Sequence, residues 1–312
     1  MTTFSRGLSL YRELLNMVKV SGRLNFKAAK RVVQNMVDLV SKDESVLMAL
    51  AAFRHYDDYT FKHSMNVCVY AIAFGHQLGL GKRTLAHLGM ASFFHDIGKL
   101  LVPKEVLTKQ AKLSEQEWEE MKRHVIYGAR YLLKSPRLDE VLANSAIVAC
   151  EHHLEVSLGG YPELLNEREV DLFSRIVSIV DCYDALTNGR VYRPRPFTPV
   201  EALNMMLERK GSKYDEGLLR YFLGLVGVYP VGSVVRLDSG ETALVYKISH
   251  WSRNPQRPVV KIFADADGNQ IYHYFYDLRT REEPGGKFLK SIVQTLDSRR
   301  YFTDYREYLD ML

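Results

Sequence analysis

The stretch "FFHDIGKL" (residues 93–100) places a histidine and an aspartate next to each other at the end of an apolar run. Two polar side chains in such a position cost free energy if they are buried without partners. His95 and Asp96 therefore belong either to a hydrogen-bonded helix end or to a pair of metal ligands. Because adjacent His–Asp pairs also occur by chance, the choice depends on the other histidines and carboxylates of the chain.

The composition is that of a globular protein with a mild positive charge. Of the 312 residues, 46% are hydrophobic and 25% are charged, and the net charge is +5. This length predicts two domains, or one large domain with an appendage. The basic residues are spread along the chain, which suits an anionic small molecule as a partner and does not indicate DNA binding.

The cysteines and the N-terminus indicate a reduced, cytoplasmic location. Cys68, Cys150 and Cys182 are far apart and match neither a disulfide framework nor a CxxC metal site. The first apolar stretch carries Arg and Glu, which argues against a signal peptide. No segment reaches the roughly 18 apolar residues needed to cross a bilayer. We therefore expect no association with a membrane.

Helical periodicity dominates the chain up to about residue 225. Apolar residues at helical spacing predict helices at 31–40, 44–53, 62–80, 82–99, 113–133, 138–153 and 171–186. Ser114 lies three residues before Glu117, a pairing typical of the capping box at a helix start. The paired glycines and the proline of residues 154–168 exclude a continuous helix there.

The pattern changes near residue 229. Two apolar segments flank "DSGE" (238–241) and two more flank "DADGN" (265–269), which predicts a small antiparallel β appendage. A polar, aromatic tail that we predict to be helical follows to Leu312. The expected organisation is a helical N-terminal domain (1–55), a helical bundle (56–225) and the β extension with its tail (226–312). The fold class is therefore mainly α.

Five histidines lie at helix positions flanked by apolar residues: His63, His95, His124, His152 and His153. Asp181 interrupts the apolar run "IVSIVDCYDAL", and Asp184 follows one turn later. A single helical histidine is more often a hydrogen-bonded or surface residue than a ligand. Several imidazoles and carboxylates in one helical core, however, need positive charge between them, and a metal held by facing helices is the usual solution. A ligand set without thiolates favours Fe or Mn over a structural zinc.

Two adjacent pairs favour two metals over one. Successive residues of a helix point about 100° apart, so that His95 and Asp96, or His152 and His153, can each face a different ion. The two oxygens of an aspartate can bridge both ions. Two metals about 3.5–4 Å apart are a common arrangement for the hydrolysis of phosphate esters.

Four motifs, in this order, resemble those of the HD-GYP family of HD-superfamily phosphohydrolases: "HDIGK" (95–99), "HH" (152–153), "GYP" (160–162) and "DALTNGRVYRP" (184–194). The resemblance covers roughly residues 56–210. It implies an HD-type helical bundle whose metal centre hydrolyses cyclic di-GMP, or a related 3′,5′-linked cyclic dinucleotide, to a linear product. It also implies a role in bacterial signalling, in which a protein partner can take part.

The resemblance further implies a role for each matching residue. The metal ligands would be His63, His95, Asp96, His124, His152, His153 and Asp181, with Asp96 as the catalytic bridge between two ions. Lys99 would contact the scissile phosphate as a second catalytic group, and Arg190, Arg193 and Tyr161 would help to bind the substrate. Family members with three metals carry a glutamate four residues before the first ligand histidine. That position is Tyr59 here, and we expect two ions, Fe or Mn.

One segment departs from the family pattern and leaves two functions open. The typical "HHExxDGxGYP" is "HHLEVSLGGYP" here, so that Leu154, Ser157 and Leu158 stand in place of a glutamate, an aspartate and a glycine. The first hypothesis is an active cyclic di-GMP phosphodiesterase, because every inferred ligand and Lys99 are present. The alternative is a slow or inactive metal-retaining receptor that signals through partner contacts. Turnover with Mn²⁺ or Fe²⁺, compared with binding alone, discriminates the two.

Overall fold

The computed structural model describes residues 26–41, 59–136, 138–163, 166, 168–188, 196–248, 254, 256–297 and 301. The predicted helix at 44–53, most of the predicted domain 1–55, and the end of the tail (302–312) lie outside these residues. Arg190 and Arg193 also lie outside them. Within the described part, no helix is both long enough and apolar enough to span a membrane.

As far as residue 226, the regular elements of the described chain are helices, as predicted. They are α1 (Phe26–Val40), α2 (Tyr59–Gln77), α3 (Lys82–Phe93), α4 (Lys104–Leu107), α5 (Glu115–Lys122), α6 (His124–Leu133), α7 (Glu140–Glu151), α8 (Leu172–Thr187), α9 (Pro199–Leu207) and α10 (Glu216–Val226). A 3-10 helix, Ile97–Leu101, lies between α3 and α4.

The hydrophobic core of the bundle is centred on α2. This helix packs against α1, α3, α8 and α10. Large side chains from these helices are fully buried, among them Phe74, Leu85, Ile176 and Phe222, and each such burial stabilises the fold by about 1.5–3 kcal/mol. Because α7 also packs against α3, α6 and α8, the helix ends that carry the histidines are held in fixed relative positions.

Two of the predicted helices are interrupted beside the histidines. α3 ends at Phe93, and a turn leads from it into the 3-10 helix, so that the prediction of one helix over 82–99 was wrong. The predicted helix 113–133 is divided at Arg123 into α5 and α6. Its capping box is confirmed, since the Glu117 amide donates to the Ser114 hydroxyl at 3.3 Å and the Ser114 amide donates to the Glu117 carboxylate at 2.7 Å.

Gly98 permits a very close contact between the 3-10 helix and α6. A β-carbon at this position would lie 1.8 Å from the carbonyl oxygen of His124. Only glycine therefore allows the two backbones to approach each other in this way. The glycine that follows the His–Asp pair is a packing requirement, and it brings His95 and Asp96 next to His124.

The C-terminal part is a five-stranded antiparallel sheet in the order β4-β3-β2-β1-β5. Its strands are β1 (Val234–Leu237), β2 (Thr242–Lys247), β3 (Val259–Ala264), β4 (Gln270–Asp277) and β5 (Ile292–Leu296). The "DSGE" and "DADGN" turns join β1 to β2 and β3 to β4, as predicted. β5 was not predicted: the tail begins with a strand, because pairing with β1 overrides the weak local pattern of "IVQTL".

Candidate metal centre

The fold brings all seven predicted ligands to one place. His63 lies in α2, His95 and Asp96 in the turn after α3, His124 at the start of α6, His152 and His153 at the end of α7, and Asp181 in α8. Six of them are buried, and His153 is half-buried. Helix ends and a turn, rather than helix interiors, therefore supply most of the polar side chains of the centre.

These side chains form two groups that share Asp96. In the first group, ligand atoms of His63, His95 and Asp96 lie within 4.8 Å of one another. Asp181 adjoins this group, since its Oδ1 is 3.0 Å from His63 Nε2 and 3.8 Å from His95 Nε2. The second group consists of Asp96, His124, His152 and His153, again within 4.8 Å.

The two oxygens of Asp96 face different groups. Oδ2 lies 3.3 Å from His95 Nε2 and 3.7 Å from His63 Nε2. Oδ1 lies 3.4 Å from His124 Nε2 and 3.8 Å from His152 Nε2. One carboxylate therefore faces the nitrogen donors of both groups.

Hydrogen bonds to backbone carbonyls fix the tautomer of three histidines. Nδ1 lies 2.7 Å from the Ser92 oxygen in His95, 2.7 Å from the Met121 oxygen in His124, and 3.1 Å from the Val148 oxygen in His152. Because a carbonyl oxygen can only accept, Nδ1 carries the proton and Nε2 presents its lone pair to the centre. This is the arrangement in which histidine binds a metal.

Buried atoms without partners show that the residues fit a metal. Among the described residues, His95 Nε2 and Asp96 Oδ1 have no hydrogen-bond partner, although buried polar atoms in folded proteins almost always have one. In addition, Nε2 of His124 and Nε2 of His152 face each other at 3.5 Å. Cations bound at the two groups would give each of these atoms a partner.

Around the second group of side chains, the electrostatics favour neutral imidazoles beside the ionised Asp96 carboxylate. Burial lowers the pKa of His124 and of His152, and it lowers the pKa of His153 to about 3. Burial alone would raise the pKa of Asp96, but Lys99 and His95 hold it well below its usual range. These are the protonation states that metal ligands need.

Lys99 and Tyr161 lie at the edge of the centre. The Lys99 ammonium donates to Asp96 Oδ2 at 2.5 Å, and its side chain is 22% exposed. The Tyr161 ring packs on the His153 ring, with the centroids 4.6 Å apart. Gly160 precedes it with a φ of +84°, and a β-carbon there would lie 2.2 Å from the His153 carbonyl oxygen, so that this glycine is required for Tyr161 to reach His153.

The same set of motifs identifies the family. A sequence profile described as an HD domain matches residues 36–218. The chain belongs to the HD-domain family. Its ordered motifs place it in the HD-GYP group, which confirms the resemblance. HD-domain phosphohydrolases depend on metal ions, and the His/Asp cluster of this chain is a candidate site for them.

Two curated relatives and one solved structure illustrate the similarity of this HD-domain chain to known proteins. The cyclic di-GMP phosphodiesterase PA4108 of Pseudomonas aeruginosa is 34% identical over 76% of this chain and 56% of its own length. The 3′3′-cGAMP-specific phosphodiesterase 2 of Vibrio cholerae is 30% identical over 70% of this chain and 41% of its own length. The chain thus spans about half the length of the curated relatives it matches. The HDG"Y"P protein Bd1817 from Bdellovibrio bacteriovorus shares the fold, with a TM-score of 0.56, 18% identity, and coverage of 69% of this chain and 68% of that one.

Backbone hydrogen bonds hold the segment in which this HD-domain chain departs from the family pattern. Leu154 is buried, and the Ser157 amide donates to the Ser212 carbonyl at 3.0 Å. Leu158 has a φ of +65°, in the left-handed region that glycine adopts freely and that costs other residues about 1–2 kcal/mol. The backbone at position 158 therefore has a conformation suited to the family's glycine, although the residue here is leucine.

Sequence analysis assigned no role to two polar residues that lie beside His63, Asp184 and Asn66. Asp184 is fully buried, and its Oδ2 lies 2.7 Å from His63 Nδ1. The side-chain amide of Asn66 donates to Asp184 Oδ1 at 2.8 Å. The available signal was the spacing, since Asp184 follows Asp181 by one helical turn and Asn66 follows His63 by one turn, which places each on the same face as a predicted ligand.

Proposed function

We propose that this chain is a metal-dependent phosphodiesterase that hydrolyses a cyclic dinucleotide, cyclic di-GMP or a related 3′,5′-linked molecule, to a linear product. The observation that carries the proposal is the pair of nitrogen and oxygen donor groups sharing one carboxylate, Asp96. The names of the relatives support the choice of substrate, because they specify cyclic di-GMP and 3′3′-cGAMP.

The proposed centre holds two divalent ions, Fe or Mn. His63, His95, Asp96 and Asp181 would form the first position, and Asp96, His124, His152 and His153 the second. Each position then has four ligands, all of them imidazole nitrogens or carboxylate oxygens, which suit these metals. Bound ions would supply a nucleophilic water at neutral pH and positive charge for the phosphate.

Lys99 is the proposed phosphate contact. Its ammonium pairs with Asp96 and is partly exposed, so that it lies between the centre and the solvent from which the substrate arrives. With Asp96 as a metal ligand, the Lys99 ammonium would be available to contact a phosphate oxygen. Arg190 and Arg193 follow α8 in sequence and would bind the remaining phosphate or a guanine edge, for which a planar guanidinium is well suited.

Tyr161 would form one wall of the substrate site. Its ring covers His153 and lies 6.2 Å, between centroids, from the ring of Trp118, which is 46% exposed. Aromatic faces of this kind can stack on a base. The loop that carries Tyr161 is also the proposed contact for a signalling protein.

Turnover by protein loaded anaerobically with Mn²⁺ or Fe²⁺ tests the proposal. Chromatography of cyclic di-GMP and 3′3′-cGAMP reactions should show a linear product, and it would also show whether hydrolysis continues to mononucleotides. His152→Ala should abolish the product, whereas His87→Ala, whose side chain lies near Asn144 outside the centre, should retain it. Folded protein with two bound ions and no product would refute the proposal and favour the receptor.

Arg190→Ala tests the substrate contacts separately. Loss of one charge-assisted hydrogen bond should weaken dinucleotide binding by about 1.5–3 kcal/mol, which is roughly ten- to a hundred-fold. Metal content should not change, because Arg190 is not a ligand. Calorimetry with a non-hydrolysable cyclic dinucleotide measures the binding affinity. An affinity equal to that of the wild type would show that Arg190 does not contact the substrate.

A further inference from the structure

Asp184 is a buried carboxylate whose two oxygens both have fixed partners. Oδ2 lies 2.7 Å from Nδ1 of His63. Oδ1 accepts hydrogen bonds from the side-chain amides of Asn66 at 2.8 Å and Asn188 at 2.5 Å. The carboxylate cannot rotate without breaking these contacts. It therefore links α2, which carries His63 and Asn66, to α8, which carries Asp181.

This contact distinguishes His63 from three other histidines of the centre. Nδ1 of His95, His124 and His152 lies against a neutral backbone carbonyl of its own chain segment. Nδ1 of His63 lies against a negatively charged carboxylate from another helix. A carboxylate acceptor both orients an imidazole and raises its basicity as a ligand. Removal of such a partner typically lowers metal affinity about 10- to 100-fold.

The two groups of ligands also differ in their number of carboxylates, and the group around His63 has more. The group around His63 contains Asp96 and Asp181, with Asp184 directly behind it. Among the described residues, the group of His124, His152 and His153 contains a single carboxylate, the shared Asp96. Two ions that arrive in succession therefore meet two different electrostatic environments.

We infer that Asp184 is a positioning residue that makes the two metal positions unequal, so that the position containing His63 and Asp181 binds its ion first. The inference rests on the proposed dinuclear centre and adds an order of filling to it. Asp184 acts through His63 and not by contact with a metal or a substrate. Its removal should weaken one position and leave the other unchanged.

Asp184→Asn tests this, because asparagine keeps the size of the side chain and removes its charge. The first Mn²⁺ affinity, measured by competition with a fluorescent chelator, should fall about 10- to 100-fold, while the second should stay within about threefold. The EPR spectrum of the first bound Mn²⁺ should change as well. Asp215→Asn is the matched control: Asp215 caps α10 and contacts Arg175, asparagine caps a helix equally well, and neither affinity should change.

A second variant separates this role from a general effect on folding. Asn188→Ala keeps Asp184 but removes one donor to Oδ1, and a smaller loss of the same first affinity is expected. Wild-type affinities in Asp184→Asn, or equal losses at both positions, would overturn the inference. Wild-type protein that binds fewer than two ions would overturn the proposed centre together with it. Two bound ions without turnover would refute only the proposed activity, while a selective loss in Asp184→Asn would still support the inference.

Discussion

Replacing Gly98 with alanine should disrupt the metal centre although Gly98 is not a ligand. The new β-carbon would lie 1.8 Å from the carbonyl oxygen of His124 and 2.5 Å from the amide nitrogen of Gly128. Real β-carbons essentially never come within 3.0 Å of such atoms. Both obstacles are backbone atoms of α6, so that no side-chain rotation relieves the clash, and one backbone must move by about 1 Å or more.

The expected losses of stability and turnover follow from the separation of Asp96 from His124. Overpacking of this kind lowers the free energy of unfolding by about 1–3 kcal/mol. The moving segment carries Asp96, whose Oδ1 lies 3.4 Å from His124 Nε2, and it therefore pulls the shared carboxylate away from the second group of ligands. Because a misplacement of about 1 Å can cost on the order of 100-fold in rate, turnover should fall at least to this extent.

Metal titration and urea denaturation check this prediction together. Gly98→Ala should bind the ion at the His124 position weakly and unfold at lower urea. Gly81→Ala is the control, since a β-carbon at the start of α3 would meet no atom within 4 Å, and its metal affinities should equal those of the wild type. An alanine variant at Gly98 with wild-type affinities and turnover would refute the argument that this contact places Asp96.

Three further outcomes are expected. Asp96→Ala should lose both ions by elemental analysis, because two cations would repel each other without a bridging carboxylate; retention of two ions would show that Asp96 does not bridge. In the metal-free protein, burial opposes protonation of His63, but Asp181 and Asp184 outweigh it and raise its pKa from 6.5 to about 9. The resulting stabilisation is complete below about pH 6.5 and is lost as the pH rises through 9, so thermal unfolding should shift to lower temperature over this range without metal and should not shift with it. Leu158→Gly should stabilise the fold by about 0.5–1 kcal/mol in urea, because relief of the left-handed backbone exceeds the added chain entropy, with unchanged metal content; destabilisation would contradict the strain argued for Leu158.

Features that depend on local sequence were predictable. Apolar periodicity located the helices that carry His63 and Asp181, and the Ser114–Glu117 spacing located the start of α5. The ligand set came from the ordered motifs of the family, and the structure brings all seven residues together. Their assignment to two metal positions stays a prediction until ions are counted.

Features that depend on contacts between distant segments were not predictable. The turn that carries His95 and Asp96 forms where Gly98 packs against the His124 carbonyl of α6. The apolar periodicity of α3 carries no information about this contact with α6. Asp184 was noted only as an acidic residue one turn after Asp181, because its partner His63 lies 121 residues away in sequence. β5 likewise depends on pairing with β1, far from its own local pattern.

Turnover measured against the number of bound metal ions tests the dinuclear centre most directly. Metal-free protein would receive Mn²⁺ in steps under anaerobic conditions, and cyclic di-GMP hydrolysis would be recorded beside the ion content at each step. A centre bridged by Asp96 predicts almost no hydrolysis up to one ion per chain, a rise with the second, and a plateau at two. Full hydrolysis at one ion per chain, or a rise that continues to a third, would contradict it.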